Sequence, residues 1–233
     1  MPKFIEASRG AAPEVLTRSV EDYLKAIYRL SLKGQPASTT DIAQLLELSA
    51  PSVSGMIKRL SEQGLLHHEP YKGAELTAEG RRVALRMLRR HRLLEAYLVG
   101  FLGYDWDTVH AEAERLEHAV SDTLIERMAS ALGNPRFDPH GDPIPAADGS
   151  IAELVYTPLP EIPVGETAEI RQVDTSQPDR LRYIASCGLK PGTRVKVIGH
   201  QPFQGPITLE MNGREHVIGH ELASLLLCAR PEA

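Results

Sequence analysis

Between residues 38 and 77 the chain is punctuated so closely that few folds can accommodate it. Ser38-Thr39-Thr40-Asp41 supplies a cap and an acidic first turn ahead of Ile42, Leu45 and Leu46, which share one helical face. Leu48-Ser49-Ala50-Pro51 turns the chain, and Pro51 suits the first position of a second helix. That helix carries Val53, Met56, Ile57 and Leu60 on one side and stops near Gly64. Two short strand-like pieces, Leu65–Glu69 and Ala74–Thr77, flank Pro70-Tyr71-Lys72-Gly73. Helix, turn, helix and hairpin outline a winged helix-turn-helix. The second helix of such a motif reads DNA through short polar side chains at its start. Here these are Ser49, Ser52 and Ser54, with Thr39 or Thr40 beside them and Pro51 able to touch thymine methyls. Lys58, Arg59, Lys72 and Arg81 are placed to meet phosphates, which set register and affinity but not sequence. The same outline also serves protein–protein contacts alone.

The rest of the chain reads as mainly α with a small β domain. Residues 1–17 lack periodicity and read as a loose arm. Val20, Tyr23, Leu24, Ile27 and Leu30 recur at helical spacing, with Ser19 and Asp22 at capping-box offset. A long helix is expected over Ala78–Leu102, with six arginines between Arg81 and Arg92, most of them facing solvent. After Gly103-Tyr104-Asp105 a helix is expected to about Ser121 and another to about Leu132. Residues 134–163, rich in Pro and Gly, read as a linker. Alternation over Ala168–Val173, Arg194–Ile198, Ile207–Met211 and His216–Ile218, with turns at Lys190-Pro191-Gly192 and Asn212-Gly213, indicates a small C-terminal β-barrel. The domains expected are 1–76 (winged helix), 77–140 (helical), 141–160 (linker) and 161–233 (barrel).

Composition removes several classes. Hydrophobic content of 42% and charged content of 24% are ordinary for a globular chain of 233 residues, and 5% aromatics favour a helix-rich core. The best apolar run, Leu93–Tyr104, is interrupted by Glu95 and falls short of the ~18 residues a bilayer needs. The first ten residues lack a signal-peptide core, and two cysteines, Cys187 and Cys228, cannot build a disulfide framework or a thiolate site. A cytoplasmic protein with no membrane partner is expected. A net charge of −5 disfavours a nonspecific nucleic-acid coat but allows an acidic site that a cation balances.

One stripe is chemically unusual. His110, Glu114, Glu117 and His118 stand at i, i+4, i+7 and i+8, on one helical face, while Val109, Ala113, Leu116 and Val120 carry the apolar face. His91 and Glu95 repeat the theme at i, i+4 on the preceding helix. Carboxylates in one stripe repel unless something cationic joins them, and carboxylate plus imidazole suits a divalent metal. The spacing alone leaves a solvated polar face equally open.

Taken together, Val20-Glu-Asp-Tyr-Leu-Lys-Ala-Ile-Tyr28, Ser49-Ala-Pro-Ser-Val-Ser54, Arg90-His-Arg-Leu93, His110-Ala-Glu-Ala-Glu-Arg-Leu-Glu-His118 and Gly141-Asp-Pro-Ile-Pro145 resemble the diphtheria toxin repressor family of iron- and manganese-dependent regulators. The resemblance runs from about Arg18 to the C-terminus. It implies a primary metal site at Asp22, Glu114, Glu117 and His118, and an ancillary site at His91, Glu95 and His110. It adds Asp174 and Gln177 as ligands from a C-terminal SH3-like domain. Iron-type members carry Met and Cys where this chain has Asp22 and Glu114, so the oxygen donors here resemble the manganese branch, with Fe²⁺ the alternative to Mn²⁺. Lys25 stands where closely spaced binuclear sites have a glutamate, which implies two well-separated sites instead.

The function this implies is metal-dependent repression, as a homodimer, at a palindromic operator in double-stranded DNA. A metal-independent winged-helix regulator is the alternative, and a metalloenzyme a lesser one. No HExxH motif, nucleophile elbow or phosphate loop is present, so an enzyme is not expected.

Overall fold

The computed structural model describes residues 16–32, 34–69 and 72–231. Residues 1–15 of the expected arm, and Pro70 and Tyr71 of the expected wing tip, lie outside the described residues. The chain divides into two compact units, residues 1–84 and 85–233.

The first unit holds α1 (Arg18–Ser31), α2 (Thr39–Leu46), α3 (Ala50–Glu62), the hairpin β1 (Leu66–Glu69) and β2 (Gly73–Leu76), and the first turns of α4 (Ala78–Leu102). The cap of α1 is Thr17, not Ser19. Thr17 has extended backbone and its Oγ1 accepts from Val20 N, which places Ser19 inside the first turn. Ser38 and Ser49 cap α2 and α3, as the spacing predicts. Leu24, Ile27, Ile42, Val53, Ile57, Leu60, Leu66 and Ala74 form the core. β1 and β2 pair antiparallel from Leu66↔Leu76 to Glu69↔Gly73. Gly80 lets α4 press on the hairpin base: a Cβ there would stand 2.1 Å from Leu65 O.

The second unit begins on α4 and continues with α5 (Val109–Leu116) and α6 (Asp122–Ala131). α5 stops earlier than expected. Ser121 must take extended backbone (φ −80°, ψ 153°) to cap α6, so residues 117–120 form a turn rather than two more helical steps. Leu93, Leu94, Ala113, Ile125, Ala129 and Ile144 pack between these helices. The arginines of α4 are not mostly solvent-facing. Arg90 and Arg92 are buried, and Arg89 is nearly so. Arg90 donates to Asp122 at 2.7 Å and Arg89 to Glu126 at 2.8 Å, so α6 supplies the carboxylates that permit their burial.

After residue 156 an antiparallel sheet forms from β3 (Thr157–Pro158), β4 (Thr167–Val173), β5 (Arg194–His200), β6 (Ile207–Met211), β7 (Arg214–Ile218) and β8 (Leu226–Ala229), in the order β3-β8-β4-β5-β6-β7. No described residues pair β3 with β7, so the SH3-like domain is an open sheet rather than a closed barrel. The alternation missed α7 (Pro178–Ser186), α8 (His220–Ala223) and β8. The Asn212-Gly213 turn holds: both residues have positive φ, 50° and 72°, as a two-residue hairpin demands. Ile170, Val195, Val197, Leu209, Leu226 and Cys228 are core. Among the described residues no helix is long and apolar enough to cross a membrane.

Residues 134–146 are more than a linker. Asp138, His140 and Ile144 are buried, and the backbone is tied at both ends. Arg92 donates to Pro143 O at 2.6 Å and to Asp142 at 3.0 Å, while Val173 N donates to His140 O at 2.9 Å. Gly141 makes this possible: φ is +88°, and an added Cβ would lie 1.9 Å from Arg171 O. Gly141→Ala is therefore expected to cost about 2 kcal/mol or more, from backbone strain plus displacement of β4. Gly149→Ala, with φ +83° and open space around it, meets only the backbone term, about 1 kcal/mol. Thermal unfolding of the two variants checks this, and equal melting temperatures would contradict it.

Candidate metal centre

α4 and α5 each present two polar side chains one turn apart, and the helix faces bring them together. His91 Nε2, Glu95 Oε1 and His110 Nδ1 lie 2.9 Å from one another on all three edges of a triangle. His91 and Glu95 side chains are each 2% exposed. The other nitrogen of His91, Nδ1, is 2.6 Å from Glu117 Oε2. With that carboxylate accepting, Nδ1 carries the hydrogen and Nε2 turns its lone pair into the triangle. Once the protons that otherwise hydrogen-bond His91 and His110 to Glu95 have left, three lone-pair donors face one centre. Three donors 2.9 Å apart form one face of an octahedron whose bonds are about 2.1 Å, since neighbouring ligands stand about 1.4 bond lengths apart. The outer hydrogen bond to Glu117 fixes ring orientation as metal-bound imidazoles require. The residues therefore fit a divalent cation with nitrogen and oxygen ligands.

Glu117 joins this triangle to the residues beyond the end of α5. Its Oε1 is 3.3 Å from His118 Nε2, while Oε2 holds His91. Glu117 is fully buried; its backbone is still helical (φ −57°, ψ −29°) and its N–H donates to Ala113 O, so it stays on the face that meets α4. Glu114 is about one-third exposed, with Oε1 3.6 Å from His110 Nε2 and 3.7 Å from His91 Nδ1. Asp22 stands on α1 in the first unit, half-buried and 3.8 Å from Arg18 Nε, and Lys25 is buried on the same helix. Asp174 and Gln177 are both exposed, between β4 and α7. Among the described residues no cluster of converging imidazoles and carboxylates includes Asp174.

Burial and charge act strongly here. Burial alone would raise the Glu95 carboxyl, but the charge of His91 and hydrogen bonds from His110, His140 and His91 hold it well below the usual range. Asp138 is pushed the other way by burial and by the charges of Asp142 and Glu95. Burial alone would lower His140, yet its hydrogen bond to Glu95 and the charges of Glu95 and Asp138 take it up to about 9. Sequence reasoning missed Asp138, His140 and Arg92. The available signal was a histidine and two aspartates within Asp138-Pro-His-Gly-Asp142, a density unusual for a bare connection.

On the first unit, Ser49, Pro51, Ser52, Ser54, Lys58 and Arg59 form the exposed side of α3 opposite Val53, Ile57 and Leu60, while Thr39 is half-buried and Lys72 is exposed beside β2. The hydroxyls are locally occupied: Ser49 Oγ and Ser52 Oγ lie 2.9 Å apart, and Ser54 Oγ donates to Ala50 O at 3.0 Å. Lys72 pairs with Glu69 at 2.6 Å.

Comparison with known proteins identifies the family. Residues 15–74 match the iron dependent repressor N-terminal DNA binding domain, residues 77–146 its metal binding and dimerisation domain, and residues 157–230 the FeoA domain. The iron-dependent repressor IdeR of Mycobacterium leprae is 34% identical over 221 residues, covering 89% of this chain and 95% of its own. The diphtheria toxin repressor of Corynebacterium diphtheriae is 30% identical with the same two coverages. A solved manganese-dependent transcriptional repressor in complex with manganese superposes with a TM-score of 0.84 at 40% identity, over 91% of this chain and 100% of its own. ScaR with bound Zn²⁺ gives 0.77 at 33%, over 91% and 99%. The chain belongs to the iron-dependent repressor family, a family of metal-dependent DNA-binding transcriptional repressors and not of enzymes.

Proposed function

We propose that this chain is a cytoplasmic homodimeric repressor that binds a palindromic operator when Mn²⁺ is available, with Fe²⁺ the alternative activator. The observation that carries this reading is the triangle of His91 Nε2, Glu95 Oε1 and His110 Nδ1, three potential ligand atoms 2.9 Å apart with His91 and Glu95 buried, a set that suits a cation. Every proposed ligand is oxygen or imidazole nitrogen, while Cys228 is buried in the sheet core, its thiol pushed up to about 12 by burial. Hard donors of that kind suit Mn²⁺, and soft thiolates would not.

The switch proposed uses ligands from both units. Glu114, Glu117 and His118 would hold one ion together with Asp22 of the read-head, and His91, Glu95 and His110 a second, with Asp174 and Gln177 as further donors from the sheet domain. The ion supplies positive charge that several carboxylates can share. Asp22, bound into that set, would restrict the read-head to one orientation and thereby fix the distance between the two recognition helices of a dimer. Ser49, Pro51, Ser52 and Ser54 would then meet base edges, with Thr39, Lys58, Arg59 and Lys72 on the backbone. Differential affinity of the ligand set for the two arrangements sets the size of the switch.

Fluorescence anisotropy at fixed salt, on a duplex enriched from a random pool, tests the reading. Mn²⁺ in place of chelator is expected to tighten binding tenfold or more, about 1.4 kcal/mol, and Glu114→Ala to remove that gain. Equal binding with chelator and with metal would instead leave a metal-independent regulator. Replacing His91 and Glu95 together by Ala should weaken the metal response without abolishing it. A full response in that double variant would show that the triangle has no part in activation.

A further inference from the structure

Trp106 is the chain's only tryptophan, and it lies in the loop between α4 and α5, four residues ahead of His110. Asp105 O accepts from Thr108 N and Val109 N, at 3.1 and 3.0 Å, so the turn that holds Trp106 runs directly into α5. Two hydrogen bonds tie Trp106 to the 134–146 segment. Its indole Nε1 donates to Pro139 O at 2.8 Å, and its carbonyl accepts from His140 Nε2 at 2.9 Å. The Trp106 and His140 rings stand 5.1 Å apart, and His140 Nδ1 is in turn 3.5 Å from Glu95 Oε2. The same indole is half-buried against the core of the sheet domain. Lys190 Nζ, from the connection between α7 and β5, lies 5.3 Å from its ring centroid, inside the ~6 Å reach of a cation–π contact. Beside it, Asp107 Oδ2 accepts from both Nε and Nη2 of Arg182 on α7, each at 3.0 Å.

We propose that Trp106 is a positioning residue for the metal centre: it clasps the α4–α5 loop to the sheet domain and so sets the affinity with which His91, Glu95 and His110 take a divalent cation. The ligands come from two helices, so their spacing depends on where α5 begins relative to α4. A binding constellation has to be held to within about 0.5 Å, and ordering a loose ligand on binding subtracts from affinity. Trp106 acts at both places that matter. It fixes the turn from which His110 follows, and it orients the His140 ring that faces Glu95. The large ring supplies the packing against the sheet core, and the N–H supplies the tie to Pro139, so neither phenylalanine nor leucine provides both. Lys190 and Arg182 hold the loop from the sheet side through charge. The proposal rests on the metal-activated reading above and adds to it residues that are not ligands. Coupling between clasp and centre must be reciprocal, so a bound cation also tightens the packing around Trp106.

The test is Mn²⁺ binding to the chelator-treated full chain, followed by loss of the free-ion electron paramagnetic resonance signal, in the wild type and three variants. Trp106→Leu removes the indole. Arg182→Gln with Lys190→Gln keeps the indole and removes only its exposed neighbours on the sheet domain. Leu209→Ala opens the sheet core without removing any group of the clasp, and serves as the control for lost stability. Trp106→Leu is expected to weaken Mn²⁺ binding about tenfold and the double variant about threefold. Leu209→Ala is expected to bind as the wild type does, although its metal-free melting temperature falls. Tryptophan emission gives the reciprocal reading: Zn²⁺, which is diamagnetic, is expected to slow acrylamide quenching of Trp106 about twofold in the wild type and less in the double variant. The proposal is overturned if Trp106→Leu and the double variant bind Mn²⁺ like the wild type, or if Zn²⁺ leaves the quenching unchanged. It is equally overturned if Leu209→Ala weakens Mn²⁺ binding as much as Trp106→Leu for the same loss of melting temperature, because the indole would then be packing alone. No Mn²⁺ binding by the wild type at all would overturn both this proposal and the metal-activated reading.

Discussion

The hydrogen bond between His91 Nδ1 and Glu117, 2.6 Å long and wholly buried, is the contact on which the centre depends. It orients the His91 ring so that Nδ1 faces Glu117 and Nε2 faces Glu95 and His110. Burying several carboxylates costs several kcal/mol per ion unless charge or hydrogen bonds offset it. Arg90 and Arg92 are buried nearby, but they are committed to Asp122 and to Asp142 and Pro143. The histidines and a cation are the remaining means of compensation.

This dependence ties stability to ligand. A cation that binds the folded centre and not the unfolded chain adds about 2.7 kcal/mol when its concentration is a hundred times its dissociation constant. The residues that gain most are those at the junction of α4, α5 and the 134–146 segment. The same segment is hydrogen-bonded to β4 through Val173 and Gln172, so the sheet domain shares in whatever order the centre acquires. That shared anchoring gives the C-terminal domain a role in the second unit beyond its own core.

Much of the fold was legible because its signals are local. Ser38, Ser49 and Pro51 announce α2 and α3, and the Asn212-Gly213 turn announces a hairpin, each through backbone chemistry confined to a few residues. The pairs His91/Glu95 and His110/Glu114 were legible for the same reason, since an i, i+4 spacing puts two donors on one helical face. The way the pairs converge was not legible, because it depends on how α4 meets α5. Nor was the early end of α5, which follows from the demands of Ser121 as a cap for the next helix. The burial of Arg89, Arg90 and Arg92 follows from carboxylates on α6 and at Asp142, far away in sequence. Residues 134–146 were read as a linker because Pro and Gly mark breaks in regular structure. Here those residues shape a fixed backbone that carries His140 and Asp138 inward.

The most direct test is crystallographic: crystals grown with Mn²⁺, with anomalous scattering recorded on either side of the manganese absorption edge. An anomalous peak bonded to His91 Nε2, Glu95 Oε1 and His110 Nδ1 at roughly 2.2 Å is the predicted result. Anomalous density confined to surface carboxylates, with that triangle closed by hydrogen bonds alone, would contradict the account.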